Sequence, residues 1–589
     1  MKIKIYLNDW FYNMGIIGFM RILENSEKQN EININENYIE FDSSILKEFG
    51  KYYFDYFMNR YDVPKDKLNK YQVQKAYVKK KSDYKDGIKY LKKTVTDVAN
   101  KFKNDENGKA LKGIADTISK VKNQSQFEIL DEEYEKFKEV LEKEQVSEKL
   151  TLNKVRSILS NQYFGQASFL QKTLASKRLD KQREVADRDY IIPIYEMGKL
   201  MDAYKDKDLD KAEECISKYL NLDKSYKDKS IEKVYKKIEK RIDKTKDVNS
   251  ILEELDSSKL YNCSLCGKFK SLGDDFEEKI FVPLGISNSN ANNLFWNFNN
   301  KFPICNVCKL ILFCTPAGAT DIFKGYVEGD YKDKTYFGFV NIDTSVDNLY
   351  KQNESFYSKK DKDSPYNEII LDMVQELRIE SEWELQNILF VEFDVDGKSC
   401  KLNYFNIPRF IAKFFAEKSG EFNSIKDKKF KAELMDLILR NIDIKFSIDK
   451  KLRQHIKGGY NALDCFIACK NRYYLNKYKK GENEMNSKKL FFIYKSGQDI
   501  NKYFTEHSGE NKITGIAYKM LNSVKTGNKN DFMDAILRIY MTAQKEVPAL
   551  FSEVFSDEDS EFEAVAQTFV SGLISKEIHK KEGEVNKDE

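Results

Sequence analysis

Apolar and polar residues alternate from the first positions of the chain. Ile3, Ile5 and Leu7 are separated by polar residues, a period of two that predicts a strand. Asn8 or Asp9 then stands where a helix cap is expected, ahead of a helix running through Trp10 to Leu23. Gly15 and Gly18 share one face of that helix, where missing side chains would let another backbone come close. Residues 30–42 read as a short hairpin and 44–60 as an aromatic-rich helix. Helical periodicity then dominates from Tyr61 to about Ser250. Residues 261–320 break the pattern with cysteine, glycine, proline and asparagine. Strands return at Tyr336–Ile342, Leu389–Val395 and Ser399–Phe405, the last two joined through the turn dipeptide Asp396-Gly397. Beyond Ile407 the pattern predicts helices at 407–418, 427–441, 446–457, 460–478, 512–525, 529–544 and 560–579. The expected fold is α+β and multidomain: a mixed N-terminal body with a large helical insertion, a zinc-ribbon-like module and a C-terminal helical bundle. Expected boundaries are 1–260 for the N-terminal recognition domain, 261–320 for the four-cysteine module, 321–420 for a continuation of the body and 421–589 for the bundle.

Length and charge sharpen this picture. The 589 residues allow about three to five domains. Lys and Arg number 99 against 95 Asp and Glu, a net of +4, so the whole-chain charge selects no partner. The distribution is more telling. Residues 61–130 carry 17 Lys and 9 acids, 131–150 carry 8 acids and 4 Lys, and 151–183 carry 7 basic residues with Asp180 as their one acid. The acidic stretch reads as a solvated helix face and the basic ones as candidate phosphate contacts. Lys outnumbers Arg 86 to 13, so a local cluster of arginines carries more weight than one of lysines. Hydrophobic residues at 41% and aromatics at 13% argue against general disorder. No signal-peptide pattern and no apolar run of about 20 residues occurs. A soluble, cytoplasmic protein with no membrane contact is expected, its nine cysteines being reduced thiols or metal ligands.

Two Cys-x-x-Cys pairs stand out, Cys263 with Cys266 and Cys305 with Cys308, separated by 38 residues. Two residues between thiolates allow a tight turn that aims both sulfurs at one ion, and Gly267 suits the left-handed residue such a turn needs. Four thiolates favour a structural, tetrahedral Zn²⁺ with no open position. The spacer is expected to form a strand pair plus a polar loop around Asn288 to Asn293. Cys314, Cys465 and Cys469 read as core residues.

Catalytic signatures are scarce. The histidines, His455, His507 and His579, form no paired motif, and no phosphate-binding glycine loop is present. Glu392, Asp394 and Asp396 alternate on one strand and could hold two Mg²⁺ for nuclease chemistry. The same alternation describes the solvated face of a hairpin with Val391, Phe393 and Val395 inside, and the period-2 pattern favours that reading.

Residues 161–170 (NQYFGQASFL) combine amide side chains suited to base edges with aromatic rings suited to stacking. Arg178, Arg183 and Arg188 follow within 11 residues. A nucleic-acid contact and a helix–turn–helix packing joint are both open readings of this stretch.

At this point the chain resembles the CXXC-CXXC large subunits of type I-B CRISPR effector complexes (Cascade). The resemblance rests on the opening 8–19 (NDWFYNMGIIGF), the 161–170 segment, the two Cys-x-x-Cys pairs, and 531–548 (DFMDAILRIYMTAQKEVP). It implies a non-catalytic subunit that inspects the protospacer-adjacent motif in duplex DNA, helps start unwinding and R-loop formation, and recruits a helicase-nuclease for antiviral defence. It also implies crRNA, target DNA, backbone subunits, a 5′-handle-binding subunit and small subunits as partners. The C-terminal bundle resembles the small subunit, with Met435 and Met485 as candidate internal starts. Within this reading Gln162, Gln166 and Ser168 are assigned to motif reading with Asn161 in support. Lys172, Lys177, Arg178 and Arg183 would hold phosphates, as would Lys79, Lys80 and Lys81. The zinc module is expected to stabilise a subunit contact. The competing readings are a zinc-ribbon nuclease using Glu392, Asp394 and Asp396, and a zinc-stabilised RNA-binding scaffold.

Overall fold

The computed structural model describes residues 2–575 except 81–83, 104, 165–166, 175–177, 223–226, 228, 250, 252, 255–260, 272–280, 285–302, 325–333, 343–344, 360–387, 397–398, 459–461, 482–487, 508 and 552–558. Ile3 and Ile5 are buried in β1 (Lys2–Tyr6), as their alternation predicts. The strand pairs antiparallel with β3 (Tyr38–Asp42), which also takes β2 (Ile32–Ile34) on its other edge. The Asp9 carboxylate accepts from the Phe11 and Tyr12 amides and so caps α1 (Trp10–Asn25). Every residue from Trp10 to Leu23 is buried. The helix is covered all round, by α2 (Phe49–Arg60), by the Asn306–Phe313 helix and by the Thr315–Gly318 turn of helix.

The two glycines of α1 do what their spacing implies. A Cβ on Gly15 would stand 2.4 Å from the Ile311 carbonyl oxygen, and one on Gly18 would stand 1.9 Å from that of Cys314. Gly318 returns the contact, since its Cβ would meet the Met14 carbonyl at 1.9 Å. Backbone rests on backbone here.

A second sheet is an antiparallel meander of β6 (Thr320–Lys324), β7 (Lys334–Ile342), β8 (Ile388–Asp396) and β9 (Ser399–Ile407). A short pair, β4 (Tyr261–Asn262) with β5 (Lys270–Ser271), precedes it. One face of the meander places Phe337, Phe339, Val391 and Phe393 in the N-terminal core. The other places Ile322, Val340, Ile388, Phe390 and Phe405 in a core shared with the C-terminal helices. Both faces are therefore covered, and this corrects the solvated-face reading of β8. Glu392 is 1% exposed and accepts from the Asn403 amide, while Asp394 is half-buried. The Asp396 side chain and the expected turn at Gly397 lie outside the described residues; the register ends at Asp396 opposite Ser399.

The helical insertion comprises α3 (Val63–Lys80), α4 (Lys85–Ala99), α5 (Glu106–Ser119), α6 (Glu128–Glu142) and α7 (Glu144–Ile158) around a core of its own. Its acidic stretch is not simply solvated: Asp131 on α6 accepts from Lys75 and Lys79 on α3, and Glu133 is buried. Next come α8 (Leu179–Ala186), α9 (Ile192–Lys205), α10 (Leu209–Leu220) and α11 (Lys229–Thr245), the last three packing around Tyr219, Tyr235 and Ile238. The C-terminal helices are Arg409–Asn423, Lys428–Leu439, Lys445–Gly458, Leu463–Lys479, Lys488–Glu506, Glu510–Thr526, Lys529–Thr542 and Asp559–Leu573. The Lys488–Glu506 helix is absent from the sequence-based expectation. It docks on the final helix through Gly497 and Gly572, where a Cβ on Gly572 would meet the Tyr494 carbonyl at 2.1 Å. Among the described residues no helix is long and apolar enough to cross a membrane.

Candidate metal centre and its surroundings

The first cysteine pair sits in the turn between β4 and β5. The Cys263 amide donates to the Phe269 carbonyl (3.0 Å) and the Gly267 amide to the Cys263 carbonyl (2.9 Å), closing a knuckle. Gly267 has φ +63°, the left-handed conformation expected of it. The second pair opens a helix. Cys305 caps Asn306–Phe313, its sulfur accepting from the Cys308 amide (3.4 Å). Two hydrogen bonds tie the halves together, from the Ser264 amide to the Pro303 carbonyl (2.9 Å) and from the Ser271 hydroxyl to the Ile304 carbonyl (3.0 Å). The strand pair thus brackets the first knuckle rather than filling the spacer, and the polar loop expected at Asn288–Asn293 lies outside the described residues.

The four sulfurs lie within 4.8 Å of one another, with Cys266 and Cys305 3.8 Å apart. Tetrahedral zinc with Zn–S bonds of about 2.3 Å requires sulfur–sulfur edges of about 3.8 Å, so the arrangement fits. Hydrogen bonding among the sulfurs holds Cys263 and Cys266 below the usual thiol range and pushes Cys305 and Cys308 above it. Three buried thiols and the half-buried Cys266 share protons because four neighbouring thiolates repel. A divalent cation would remove that conflict and let all four ionise. Among the described residues this is the one cluster of three or more His, Cys, Asp or Glu side chains able to hold an ion. Cys314, Cys465 and Cys469 are buried core thiols, as expected.

Sequence reasoning missed how the module is seated. The Tyr12 hydroxyl on α1 donates to the Cys308 sulfur at 3.2 Å in a fully buried contact. Burial, then the neighbouring Cys308 sulfur, pushes the Tyr12 phenol up, so it stays a donor. The carbonyls at the end of the Asn306–Phe313 helix and its continuation are also satisfied from the N-terminal body. Arg21, 5% exposed, donates to the Ala317 (3.0 Å) and Gly318 (2.8 Å) carbonyls. Arg60 reaches the Pro316 (2.9 Å) and Ala319 (2.8 Å) carbonyls, and Tyr53 that of Phe313 (3.0 Å). These are the acceptors a helix end leaves without an internal partner. The module is thus fastened to the N-terminal body of its own chain.

The 161–170 segment packs against the same module. Leu159–Tyr163 forms a π-helical turn, a rare geometry enriched at functional sites. Tyr163, Phe164 and Phe169 are at most 2% exposed, so their rings are anchors and offer no stacking faces. The Phe164 ring lies 5.0 Å from Phe313 and 5.8 Å from Phe281, and Phe164 bridges to Phe281 through the backbone. Among the polar positions, Asn161 is exposed and donates to the Ser157 hydroxyl (3.2 Å). Gln162 is half-buried, and its side-chain oxygen has no hydrogen-bond partner among the described residues. The Ser168 hydroxyl donates to that of Tyr190 (3.3 Å). Arg178 is exposed beside Glu144 and Glu148, and Arg183 pairs with Asp55 and Asp180. Gln166, Lys177 and Lys81, with the side chains of Lys172 and Lys80, lie outside the described residues. Lys79 pairs with Asp131 (2.7 Å). The structure thus gathers Asn161, Gln162 and Ser168 near the module, while Lys79 belongs to the separate helical insertion.

No curated protein and no solved structure matches the chain. Residues 256–320, which carry all four cysteines, match the family model described as CRISPR-associated protein (Cas_CXXC_CXXC), and that match supports reading the chain as a CRISPR-associated CXXC-CXXC protein.

Proposed function

We propose that the chain is the non-catalytic large subunit of a type I-B CRISPR RNA-guided surveillance complex. In that role it reads the protospacer-adjacent motif in duplex DNA, aids unwinding and R-loop formation, and recruits a helicase-nuclease. The observation that carries the reading is the four-cysteine module, both in its family match and in its closed, zinc-compatible geometry. A four-thiolate site leaves no position for substrate, which suits a structural metal in a recognition protein. The nuclease alternative gains nothing from the fold, because Glu392 is 1% exposed and accepts from the Asn403 amide. A complex that delegates sequence to guide pairing needs its protein to read only a short motif and hold backbones.

Motif reading is assigned to Gln162, Gln166 and Ser168 with Asn161 in support, and phosphate holding to Lys172, Lys177, Arg178 and Arg183. Carboxylates already stand beside Arg178 and Arg183, so DNA phosphates would have to displace those partners. The direct test is affinity purification of the chain from its host with sequencing of bound RNA. Repeat-derived guide RNA and a repeated backbone subunit should co-purify, and their absence would sink the reading. Gln166→Ala should weaken binding to motif-bearing duplex while guide-complementary single strands stay bound; equal loss on both would refute the assignment.

A further inference from the structure

The helical insertion carries a surface that none of these assignments uses. α3 and α4 lie side by side, with the Thr94 hydroxyl donating to Gln74 (3.2 Å) and Gly87 tight against Val78 and Tyr77. Lys75 and Lys79 are spent on Asp131 of α6, each at 2.7 Å. Adjoining positions are exposed. Lys70, Val73 and Tyr77 follow one another at helical spacing on α3, as do Tyr90 and Lys93 on α4. Val73, Tyr77 and Tyr90 are 71%, 45% and 57% exposed, a large apolar exposure for three neighbouring positions. Lys70, Lys93 and Lys101 are exposed and form no ion pair among the described residues.

Positive charge also accumulates here. Burial, then the adjacent Lys70, draws the Lys67 ammonium below its usual range; Lys101 adds to this, and Asp97 and Asp66 offset it only in part. Like charges are held together toward the start of α3, with Lys67 about 15 Å of helix, ten residues, before Tyr77. We infer that this α3–α4 face binds single-stranded nucleic acid, with Lys67, Lys70, Lys93 and Lys101 taking phosphates and Tyr77 and Tyr90 stacking on bases. Lys67, Lys70, Lys93 and Lys101 outnumber the nearby Asp66 and Asp97, and this surplus of positive charge complements a polyanion, whereas an apolar protein partner would have to bury it unpaired. Exposed rings suit unstacked bases, which a duplex does not present. The inference rests on the proposed function only in taking nucleic acid as the partner.

The test uses the purified full chain and labelled oligo(dT), oligo(U) and a motif-free duplex, followed by fluorescence anisotropy across a salt series. Single strands should bind. The Tyr77→Ala/Tyr90→Ala pair should weaken them about ten-fold or more, while Tyr77→Phe/Tyr90→Phe retains binding. Lys70→Ala/Lys93→Ala should lower the slope of log affinity against log salt by about 1.4. The oligo(dT) and oligo(U) arms separate DNA from RNA. Absence of single-strand binding by the unaltered chain would overturn the inference. So would equal binding by the alanine pair, or an alanine pair that loses only a co-purifying protein. Failure here with guide RNA still co-purifying removes this surface and leaves the subunit reading; the reverse outcome removes the subunit reading alone.

Discussion

Replacing Gly18 with alanine tests the junction between the metal module and the body at its tightest point. The added Cβ would stand 1.9 Å from the Cys314 carbonyl oxygen and 2.7 Å from the Gly318 nitrogen, where ordinary contact begins near 3.4 Å. The two backbones must separate by about 1.5 Å, and neither partner is a side chain that could rotate aside. A shift of that size takes the Arg21 guanidinium out of reach of the Ala317 and Gly318 carbonyls, now 3.0 and 2.8 Å away. Overpacking costs about 1–3 kcal/mol and each lost charged hydrogen bond about 1.5–3 kcal/mol, against about 1 kcal/mol gained in helix propensity. A net loss of about 3 kcal/mol or more is expected. Gly113 on α5 is the matched control: a Cβ there meets nothing within 4 Å, so Gly113→Ala should stabilise by about 0.5–1 kcal/mol. Hydrogen exchange of α1 amides, read beside thermal melts, reports the local cost. A Gly18→Ala chain whose α1 amides exchange no faster than those of the parent would refute the close-packing argument.

Cys305→Ser should bring zinc content to background by elemental analysis and lower the melting temperature; unchanged zinc would refute the four-thiolate site. Tyr12→Phe keeps the ring but removes the donor to Cys308, so zinc affinity should fall about 10–100-fold in a chelator competition, with no change in affinity as the refuting result. Asp187 accepts from the Gly50 amide, yet burial outweighs that bond and Arg183 and lifts its carboxyl from 3.8 to about 6. The fold therefore favours the neutral acid: its contribution is fully present below about pH 3.8 and is lost as pH rises through about 6. Asp187→Asn should flatten the pH dependence across that window and add about 1–3 kcal/mol of stability at pH 8, read as a higher melting temperature. An asparagine chain no more stable than its parent at pH 8 would contradict this.

Local signals were legible in the sequence and coverage was not. The cap at Asp9, the glycine face of α1 and the knuckle glycine Gly267 each depend on a few neighbouring residues, and each took the predicted form. The alternation in β8 correctly separated Glu392 from Val391 and Phe393, but a period of two says which residues share a face, not what lies over it. That face lies in a core shared with the C-terminal helices, and Glu392 is buried. The Lys488–Glu506 helix escaped for a related reason. Its Phe491 and Phe492 are adjacent and exposed, and its Gly497 lowers helix propensity while serving the contact with Gly572. Arg21, set within the apolar run of α1, is a buried donor to the carbonyls of a segment almost 300 residues away.

The burial of Tyr163, Phe164 and Phe169 changes what the 161–170 segment can do. A strand-stacking surface would need those rings free, and they are instead wedged among Phe281, Phe313, Tyr190, Phe337 and Phe393. Ser168, set among them, and Gln162, just before them, are thereby carried on a packed aromatic support, which the duplex-reading role proposed above would require. That support is the helix begun by Cys305 and Cys308, which Tyr12 and Arg21 fasten to α1. In the function proposed above, a structural metal so placed would support recognition without touching the nucleic acid. Its ligands Cys305 and Cys308 open the helix that carries Phe313, and Phe164 and Phe169, neighbours of Gln162 and Ser168, pack on Phe313. Basic and aromatic exposure suited to a flexible single strand lies elsewhere, on α3 and α4. The chain thus separates a rigid polar site from an exposed basic-aromatic one, and its near-neutral total conceals that division.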